Sequence, residues 1–103
     1  MGAHFVHKFG GSTKMKHARV EKCGQRGILG RYCVHLHRMG DCPTCIFDGN
    51  AIEYGHQRAI NIHATHRSVS TFNVVTDVRG AACVECRVSL LFARPASGYP
   101  RVL

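Results

Sequence analysis

Two matched cysteine pairs place the strongest constraint on how this chain can fold: Cys42-Pro-Thr-Cys45 and Cys83-Val-Glu-Cys86. A tight turn at this spacing puts both sulfurs on one side of the backbone, where they can bind one metal ion. Two such turns together supply the four thiolates that Zn²⁺ prefers. A chain of 103 residues without tryptophan has a modest core, for which a metal is a common remedy. The spacing therefore predicts a zinc-stabilised domain.

The six cysteines could instead form disulfides. The amino-terminal residues contain no apolar stretch of the kind found in secretory signals. Eight histidines accompany the cysteines, and thiols in a reducing compartment bind metals more often than they pair. These observations favour metal binding.

Two groupings of the ligands stay open. In one, both cysteine pairs bind the same Zn²⁺, and in the other, two ions are bound by local sets of four side chains. The members of the local sets are Cys23, Cys33, Cys42 and Cys45 for the first ion, and His63, His66, Cys83 and Cys86 for the second. The predicted cofactor is therefore one or two Zn²⁺.

Alternating apolar and polar residues predict a strand over residues 31–38. Cys33, His35 and His37 fall on one face of this strand. A face of cysteine and histidine alone is uncommon, so His35 and His37 are further candidates for metal binding.

The rest of the chain also has the pattern of short strands and turns. Residues 70–78 form the clearest strand, and a strand over residues 87–93 follows the second cysteine pair. Asp48-Gly49-Asn50 is a strong turn signal. No internal repeat is visible, so the sequence predicts a mostly β domain without a repeating unit.

Charge is distributed unevenly along the chain. Residues 1–38 hold eight basic residues and one acidic residue, whereas residues 39–103 hold six basic and five acidic residues. This asymmetry predicts a basic extended arm over residues 1–22 and a zinc-binding, β-rich domain over residues 23–103. A basic arm is typical of proteins that bind polyanions, above all nucleic acid, and a mitochondrial targeting segment has a similar composition. The predicted nucleic-acid-binding residues are Lys8, Lys14, Lys16, Arg19, Lys22, Arg26, Arg31 and Arg38.

The order of cysteine pair, β-hairpin material, cysteine pair and apolar strand over residues 42–93 resembles a zinc ribbon. Small ribosomal proteins and small RNA polymerase subunits carry this architecture. The resemblance implies a small, mostly β, zinc-stabilised (zinc-ribbon-like) fold with an extended basic N-terminal arm. It further implies a structural zinc-binding component of a ribonucleoprotein, a mitochondrial or cytoplasmic ribosomal protein. The expected partners are rRNA and the neighbouring proteins of a large assembly, with no small-molecule substrate and no transmembrane segment.

Two alternative functions are weighed against the ribosomal one. Cys23, Gly27-Ile28-Leu29-Gly30, Val34 and the first cysteine pair also resemble the zinc-binding accessory subunit of respiratory complex I. Some nucleases carry catalytic and metal-binding histidines between two cysteine pairs, as His56, His63 and His66 would be here. The sequence lacks the motifs of phosphate-binding loops, serine hydrolases and zinc proteases. A four-thiolate zinc site also has no open position for a substrate, so we expect no enzymatic activity.

Overall fold

The structure, a computed structural model, describes residues 2–8 and 10–84 together with the backbone of residues 91–95. Residues 87–90 of the strand predicted over residues 87–93 therefore lie outside the described residues. The strands in these ranges are β1 (Phe5–Lys8), β2 (Lys14–Lys16), β3 (Arg19–Glu21), β4 (Val34–Asp41), β5 (Ile46–Asp48), β6 (Ala51–Glu53), β7 (Ile60–His66), β8 (Val69–Thr71), β9 (Asn73–Val78), β10 (Cys83–Val84) and β11 (Leu91–Pro95). The described part of the chain has no helix of the length and hydrophobicity needed to cross a membrane.

The strands form three sheets in which every pairing is parallel. The first sheet has the order β1-β4-β7-β10, the second has the order β2-β5-β8, and the third has the order β11-β9-β6-β3. Each group of three consecutive strands therefore contributes one strand to each sheet and makes one coil of a β-solenoid. Successive coils stack in register, as in other solenoid proteins, where each repeat contacts mainly its neighbours.

Alternation along the strands fills the interior of the solenoid with columns of apolar side chains. Leu36 of the first sheet is fully buried, as are Phe47 of the second and Ile52 of the third. Each has a register partner on the neighbouring coil, for example Ile62 beside Leu36 and Val75 beside Ile52. Fully burying a side chain of this size stabilises the fold by about 1.5–3 kcal/mol, so these columns hold the coils together.

The corner between the second and third sheets is built the same way in each coil. His17, Gly49 and Phe72 each follow a strand of the second sheet, and their φ angles are 53°, 67° and 52°. A single residue in this left-handed region turns the chain sharply between two strands. In the second coil, glycine avoids a close contact at this position, because a Cβ on Gly49 would lie 2.7 Å from Nδ1 of His17. The turn predicted at Asp48-Gly49-Asn50 is confirmed here.

Two asparagines lie just beyond this corner and join the second and third coils. Asn50 and Asn73 are almost fully buried, and Nδ2 of Asn50 donates a hydrogen bond of 3.1 Å to Oδ1 of Asn73. Nδ2 of Asn50 also donates to the carbonyl of Met15, and Oδ1 accepts from the backbone N–H of Ala18. The Asn50–Asn73 pair thus hydrogen-bonds backbone groups of the first and second coils at the corner.

The zinc-ribbon-like fold with an extended basic N-terminal arm is a wrong prediction, although the mostly β composition is right. Strands β1, β2 and β3, from the range predicted as an arm, each pair with a strand of the second coil. The predicted boundary between residues 22 and 23 falls in the connection from β3 to β4. The cause of the error is weak burial in the first coil. Within the described residues, the inward-facing side chains of this coil, such as Met15 and Val20, pack against one neighbouring coil and are half-buried.

Candidate functional site

The parallel register collects histidines on the outer face of the first sheet. His37 on β4 is the direct register partner of His63 on β7, and His35 lies two residues earlier on β4. Neighbouring strands are about 4.8 Å apart, so side chains in adjacent positions of this face touch. The register alone therefore places three imidazoles from two coils side by side.

These histidines line a pocket of about 430 Å³. The connection between β3 and β4 forms one border of the pocket, where Leu29 has 88% of its surface exposed. The complete lining is Leu29, Gly30, Tyr32, His35, His37, Arg58, Asn61, His63 and Val84. Within the described residues the lining contains no carboxylate, so the pocket presents nitrogen donors and one guanidinium group.

His35 is the most buried imidazole of the pocket, with only 6% of its surface exposed. Its Nδ1 lies 3.0 Å from the carbonyl oxygen of Gly30. A carbonyl only accepts hydrogen bonds, so Nδ1 carries the proton and Nε2 has a free lone pair. Nε2 is also buried, and it is the one buried side-chain nitrogen or oxygen in the described part of the chain without a hydrogen-bond partner.

His37 and His63 approach each other through their Nδ1 atoms, which are 3.4 Å apart. The rings of His35 and His37 stand edge to face, with their centroids 5.1 Å apart. One ring nitrogen from each of the three histidines lies within 4.8 Å of the other two. These three residues are called the histidine cluster below.

Arg58 and Tyr32 close the side of the pocket next to His35. The guanidinium group of Arg58 lies 5.1 Å from the centre of the Tyr32 ring, and its Nη1 donates hydrogen bonds of 3.4 Å to the Tyr32 hydroxyl and to Oδ1 of Asn61. The Tyr32 ring in turn packs against His35, with their centroids 4.9 Å apart. These contacts hold a positive charge at the border of the pocket.

The surroundings of the cluster keep two of its imidazoles neutral. Burial lowers the pKa of His35 below its ordinary value of 6.5, and the nearby charges of His37, His63 and Arg58 lower it further, against an opposing effect of the hydrogen bond to Gly30. Desolvation lowers the pKa of His37 as well, together with the charges of His63, Arg38 and Lys8. Both rings therefore have an unprotonated nitrogen at neutral pH.

The cysteines do not form a metal site. Cys23 is joined to Cys33 and Cys42 is joined to Cys45 by disulfides, and Cys83 is disulfide-bonded as well. Cys86 lies outside the described residues. Zinc binds thiolates, which these oxidised sulfurs cannot supply. The prediction of one or two cysteine-bound Zn²⁺ is therefore wrong.

Geometry explains why the cysteine spacing was ambiguous. The backbone N–H of Cys45 donates to the carbonyl of Cys42 in a tight turn, and the two Cα atoms are 5.3 Å apart. That separation is the usual one for a disulfide, so the turn that suits a metal also suits an S–S bond. Cys42 and Cys83 are moreover far from each other. Cys42 follows the end of β4, whereas Cys83 is level with Val34 at the start of β4, through Ile60. At 3.3 Å per residue this separation is more than about 20 Å.

The two predicted histidine ligands, His63 and His66, lie at different places along β7. His63 belongs to the histidine cluster, whereas His66 is level with Asp41 at the other end of β7 and does not line the pocket. Neither predicted ligand grouping contains His35 or His37. The sequence signal for these two residues was the cysteine and histidine face of the predicted strand. The register between β4 and β7, which brings His63 to them, cannot be read from the pattern of either strand.

The eight predicted nucleic-acid-binding residues are all exposed, but they do not share a surface. Lys8 belongs to the first sheet, Lys14 and Lys16 to the second, and Arg19 to the third. Arg19 is also paired with Glu53 and Glu21, at 2.8 Å and 3.3 Å. The basic residues of the first coil are thus distributed around the solenoid rather than along one stripe.

Comparison with known proteins identifies relatives of a different kind from those predicted. The model of a family described as the CEMIP beta-helix matches residues 1–85. Fibrocystin-L from Mus musculus is 36% identical over 70 residues, which are 67% of this chain and 2% of the relative. Fibrocystin-L from Homo sapiens is 34% identical over the same length, with the same shares of the two chains. A G8 domain-containing protein from Dictyostelium discoideum is 34% identical over 59 residues, 57% of this chain and 5% of the relative. No solved structure matches.

These relatives overturn the predicted function. The chain is similar to β-helix and G8 domain proteins, and neither a ribosomal protein nor a respiratory subunit is among the relatives found. The predictions of a ribonucleoprotein component, of rRNA as partner and of the respiratory alternative are therefore wrong. The nuclease alternative loses its basis too, because the cysteines that would support it through zinc are oxidised. The chain spans only a few per cent of the length of these relatives, so their activities as whole proteins are not transferred to it.

Proposed function

Because this chain belongs to the CEMIP beta-helix family, we propose that it is a non-catalytic structural module, braced by disulfides, of a protein that folds in an oxidising compartment. Its coils form a rigid support, and the pocket over the first sheet is the binding surface that they support. The observation that carries the proposal is the oxidised state of the cysteines at two places in the fold.

The Cys23–Cys33 disulfide has the clearer structural role. It closes the connection between the first and second coils, and both of its cysteines are almost fully buried in the core. The connection itself contains three glycines and is held by backbone hydrogen bonds, such as the one from Gln25 N–H to the carbonyl of Arg31 at 2.8 Å. A covalent link at its base limits the freedom that these glycines give the unfolded chain.

Disulfides persist in secreted and cell-surface proteins and are rare where glutathione keeps thiols reduced. They therefore support an oxidising compartment over the mitochondrial or cytoplasmic location expected from the sequence, which stays a prediction. Non-catalytic function is supported by four of the five carboxylates of the described residues. Glu21, Glu53 and Asp41 are engaged by arginines, and Asp48 accepts a hydrogen bond from Thr71. None of these lines the pocket of the histidine cluster.

The proposal is tested by removing each disulfide separately. The double variant Cys23→Ala/Cys33→Ala opens a loop of sequence separation 10, and Cys42→Ala/Cys45→Ala opens one of separation 3. Chain entropy alone then predicts losses of about 2.7 and about 1.6 kcal/mol in the free energy of unfolding. Urea denaturation of the two variants measures both losses, and the second variant is the matched control for the first.

The redox state is measured on the unaltered chain. Protein produced in an oxidising compartment should show no reactive thiol at these four positions after unfolding, and a reductant should lower its melting temperature. A chain that folds with these thiols free, and that melts at the same temperature with and without reductant, would contradict the proposal.

A further inference from the structure

The histidine cluster contains the one described side-chain nitrogen or oxygen that is buried without a partner, Nε2 of His35. Leaving such an atom unsatisfied costs about 1–3 kcal/mol, and native structures usually provide a partner. The apolar core does not require this residue, since its ring lies on the outer face of the first sheet. We propose that His35, His37 and His63 form a three-imidazole site for a divalent late first-row transition-metal ion.

The hydrogen bond of His35 already has the arrangement found around metal-binding histidines. Such a residue usually donates one ring N–H to a carbonyl or carboxylate, which fixes the ring and directs the other nitrogen at the ion. Here Nδ1 donates to the carbonyl of Gly30 at 3.0 Å, so Nε2 is the ligand atom. The ring is also held from its side by Tyr32.

The spacing of the other two imidazoles fits an ion between them. Late first-row ions hold imidazole nitrogens at about 2.0–2.1 Å, so two nitrogens at a tetrahedral angle lie about 3.3–3.4 Å apart. The Nδ1 atoms of His37 and His63 are 3.4 Å apart. The farthest pair of ligand atoms in the cluster is within 4.8 Å. Because His37 is half-buried and His63 is exposed, side-chain rotation can bring them closer to His35.

The backbone fixes the three positions before any ion binds. His37 and His63 face each other as register partners in the centre of a sheet that continues on both sides. A site built on paired strands loses little freedom on binding, which favours affinity. The pocket also has room beside the cluster for a fourth ligand, such as water or a group from a partner.

The donor set selects the class of ion. Three imidazoles without a carboxylate suit late first-row ions and do not suit Ca²⁺ or Mg²⁺, which prefer oxygen ligands. Affinity for such a site rises along the series towards Cu²⁺. The guanidinium group of Arg58 opposes any cation nearby, and the same charge would favour an anion in the pocket. An anion is therefore the competing occupant, and the experiment must separate the two.

Co²⁺ is a suitable probe because an ion in a tetrahedral imidazole site absorbs visible light far more strongly than hydrated Co²⁺. Titration of the untagged chain with Co²⁺ should show one bound ion per chain. Outer partners of metal ligands alone are worth 10–100-fold in affinity, so we expect His35→Phe, His37→Ala and His63→Ala each to weaken binding by more than about 100-fold. His66→Ala on the same strand as His63 is the matched control and should bind Co²⁺ unchanged. Circular dichroism confirms that each variant is folded.

Arg58→Gln separates the two occupants. If the cluster binds a cation, this variant binds Co²⁺ as tightly as the unaltered chain or more tightly. If the pocket is an anion site, the unaltered chain binds phosphate in calorimetry, Arg58→Gln abolishes that binding, and no Co²⁺ is bound. That result would overturn the proposal. Co²⁺ binding that is lost equally in His66→Ala, or retained in all three cluster variants, would overturn it as well.

Discussion

The asparagine pair at the corner and the histidine cluster on the first sheet both consist of polar side chains from two neighbouring coils, and each contains an almost fully buried residue. They differ in how far their hydrogen bonds are satisfied. Every side-chain amide nitrogen and oxygen of Asn50 and Asn73 has a partner within 3.1 Å. In the histidine cluster, Nε2 of His35 has none. Polar side chains whose hydrogen bonds are all made stabilise the fold, whereas an unpaired nitrogen such as Nε2 of His35 is available to bind a ligand. Matched substitutions test this difference.

The largest expected effect is on the asparagine pair. Asn50→Ala removes the side-chain acceptor of the Ala18 N–H and one donor to the carbonyl of Met15. Asn73→Ala removes the side-chain acceptor of the Asn50 N–H and one donor to the carbonyl of Phe47. Each buried group left unsatisfied costs about 1–3 kcal/mol, so we expect each variant to lose about 3 kcal/mol in the free energy of unfolding. Urea denaturation measures the losses.

Asn61→Ala is the control of the same residue type. Asn61 is also buried but accepts only a long hydrogen bond from Arg58, so its loss should be about 1 kcal/mol. In the double variant Asn50→Ala/Asn73→Ala, the loss should be smaller than the sum of the single losses by about 1–2 kcal/mol, because the two amides share a hydrogen bond. Strict additivity would show that the two residues act separately.

A smaller effect is expected at the histidine cluster in the presence of a chelator. His35→Phe loses the hydrogen bond to Gly30 but also removes the unsatisfied Nε2. The two changes oppose each other, so the free energy of unfolding should change by less than about 1 kcal/mol. Chemical denaturation of His35→Phe and Asn50→Ala under the same conditions compares their losses in the free energy of unfolding directly. A loss as large as that of the asparagine variants would place His35 among the structural residues and remove the contrast.

The smallest effect is the dependence of stability on pH, again with a chelator present. The pKa of His35 is lowered by burial and by the charges of His37, His63 and Arg58, and the pKa of His37 is lowered too. Below the ordinary value of 6.5, the unfolded chain therefore binds more protons than the folded one. The free energy of unfolding should fall as the pH decreases from about 6.5 and level off above it.

The control for this pH dependence compares the two clusters. His35→Phe should flatten the slope of stability between pH 5 and pH 7, since it removes the more buried imidazole. Asn50→Ala should lower stability equally at both values, because no titrating group is changed. An unaltered slope in His35→Phe would show that His35 does not contribute to it.

Local structure could be predicted from the sequence where one strand or turn contains all of the signal. The predicted strand over residues 31–38 overlaps β4 (Val34–Asp41) and places His35 and His37 on one face, and the turn at Gly49 is present. The coils could not be predicted because their connections differ in length. Residues 22–33 join the first two coils, residues 54–59 the next two and residues 79–82 the following two, so no fixed period appears in the chain.

The histidines of the cluster were each candidate ligands, but their grouping into one site was missed for a related reason. Its members His37 and His63 are register partners from different coils, and register is a property of the sheet rather than of either strand. The cysteines were wrongly predicted to bind zinc because a Cys-x-x-Cys turn accommodates a metal and a disulfide equally well. The basic residues of the first coil were misinterpreted because exposed positions distributed around a coil can have the composition of an arm.

The disulfide between Cys23 and Cys33 separates the segment that borders the histidine pocket from the strands that form the coils. It pins both ends of the segment whose Leu29 and Gly30 form the border of the histidine pocket, while the strands on either side keep their register through other contacts. The backbone-to-backbone hydrogen bonds described for residues 25–31 lie within that segment, so we expect that a segment of different length or chemistry can replace it without disturbing the coils. A scaffold of this kind can acquire a new ligand preference through a single short insertion.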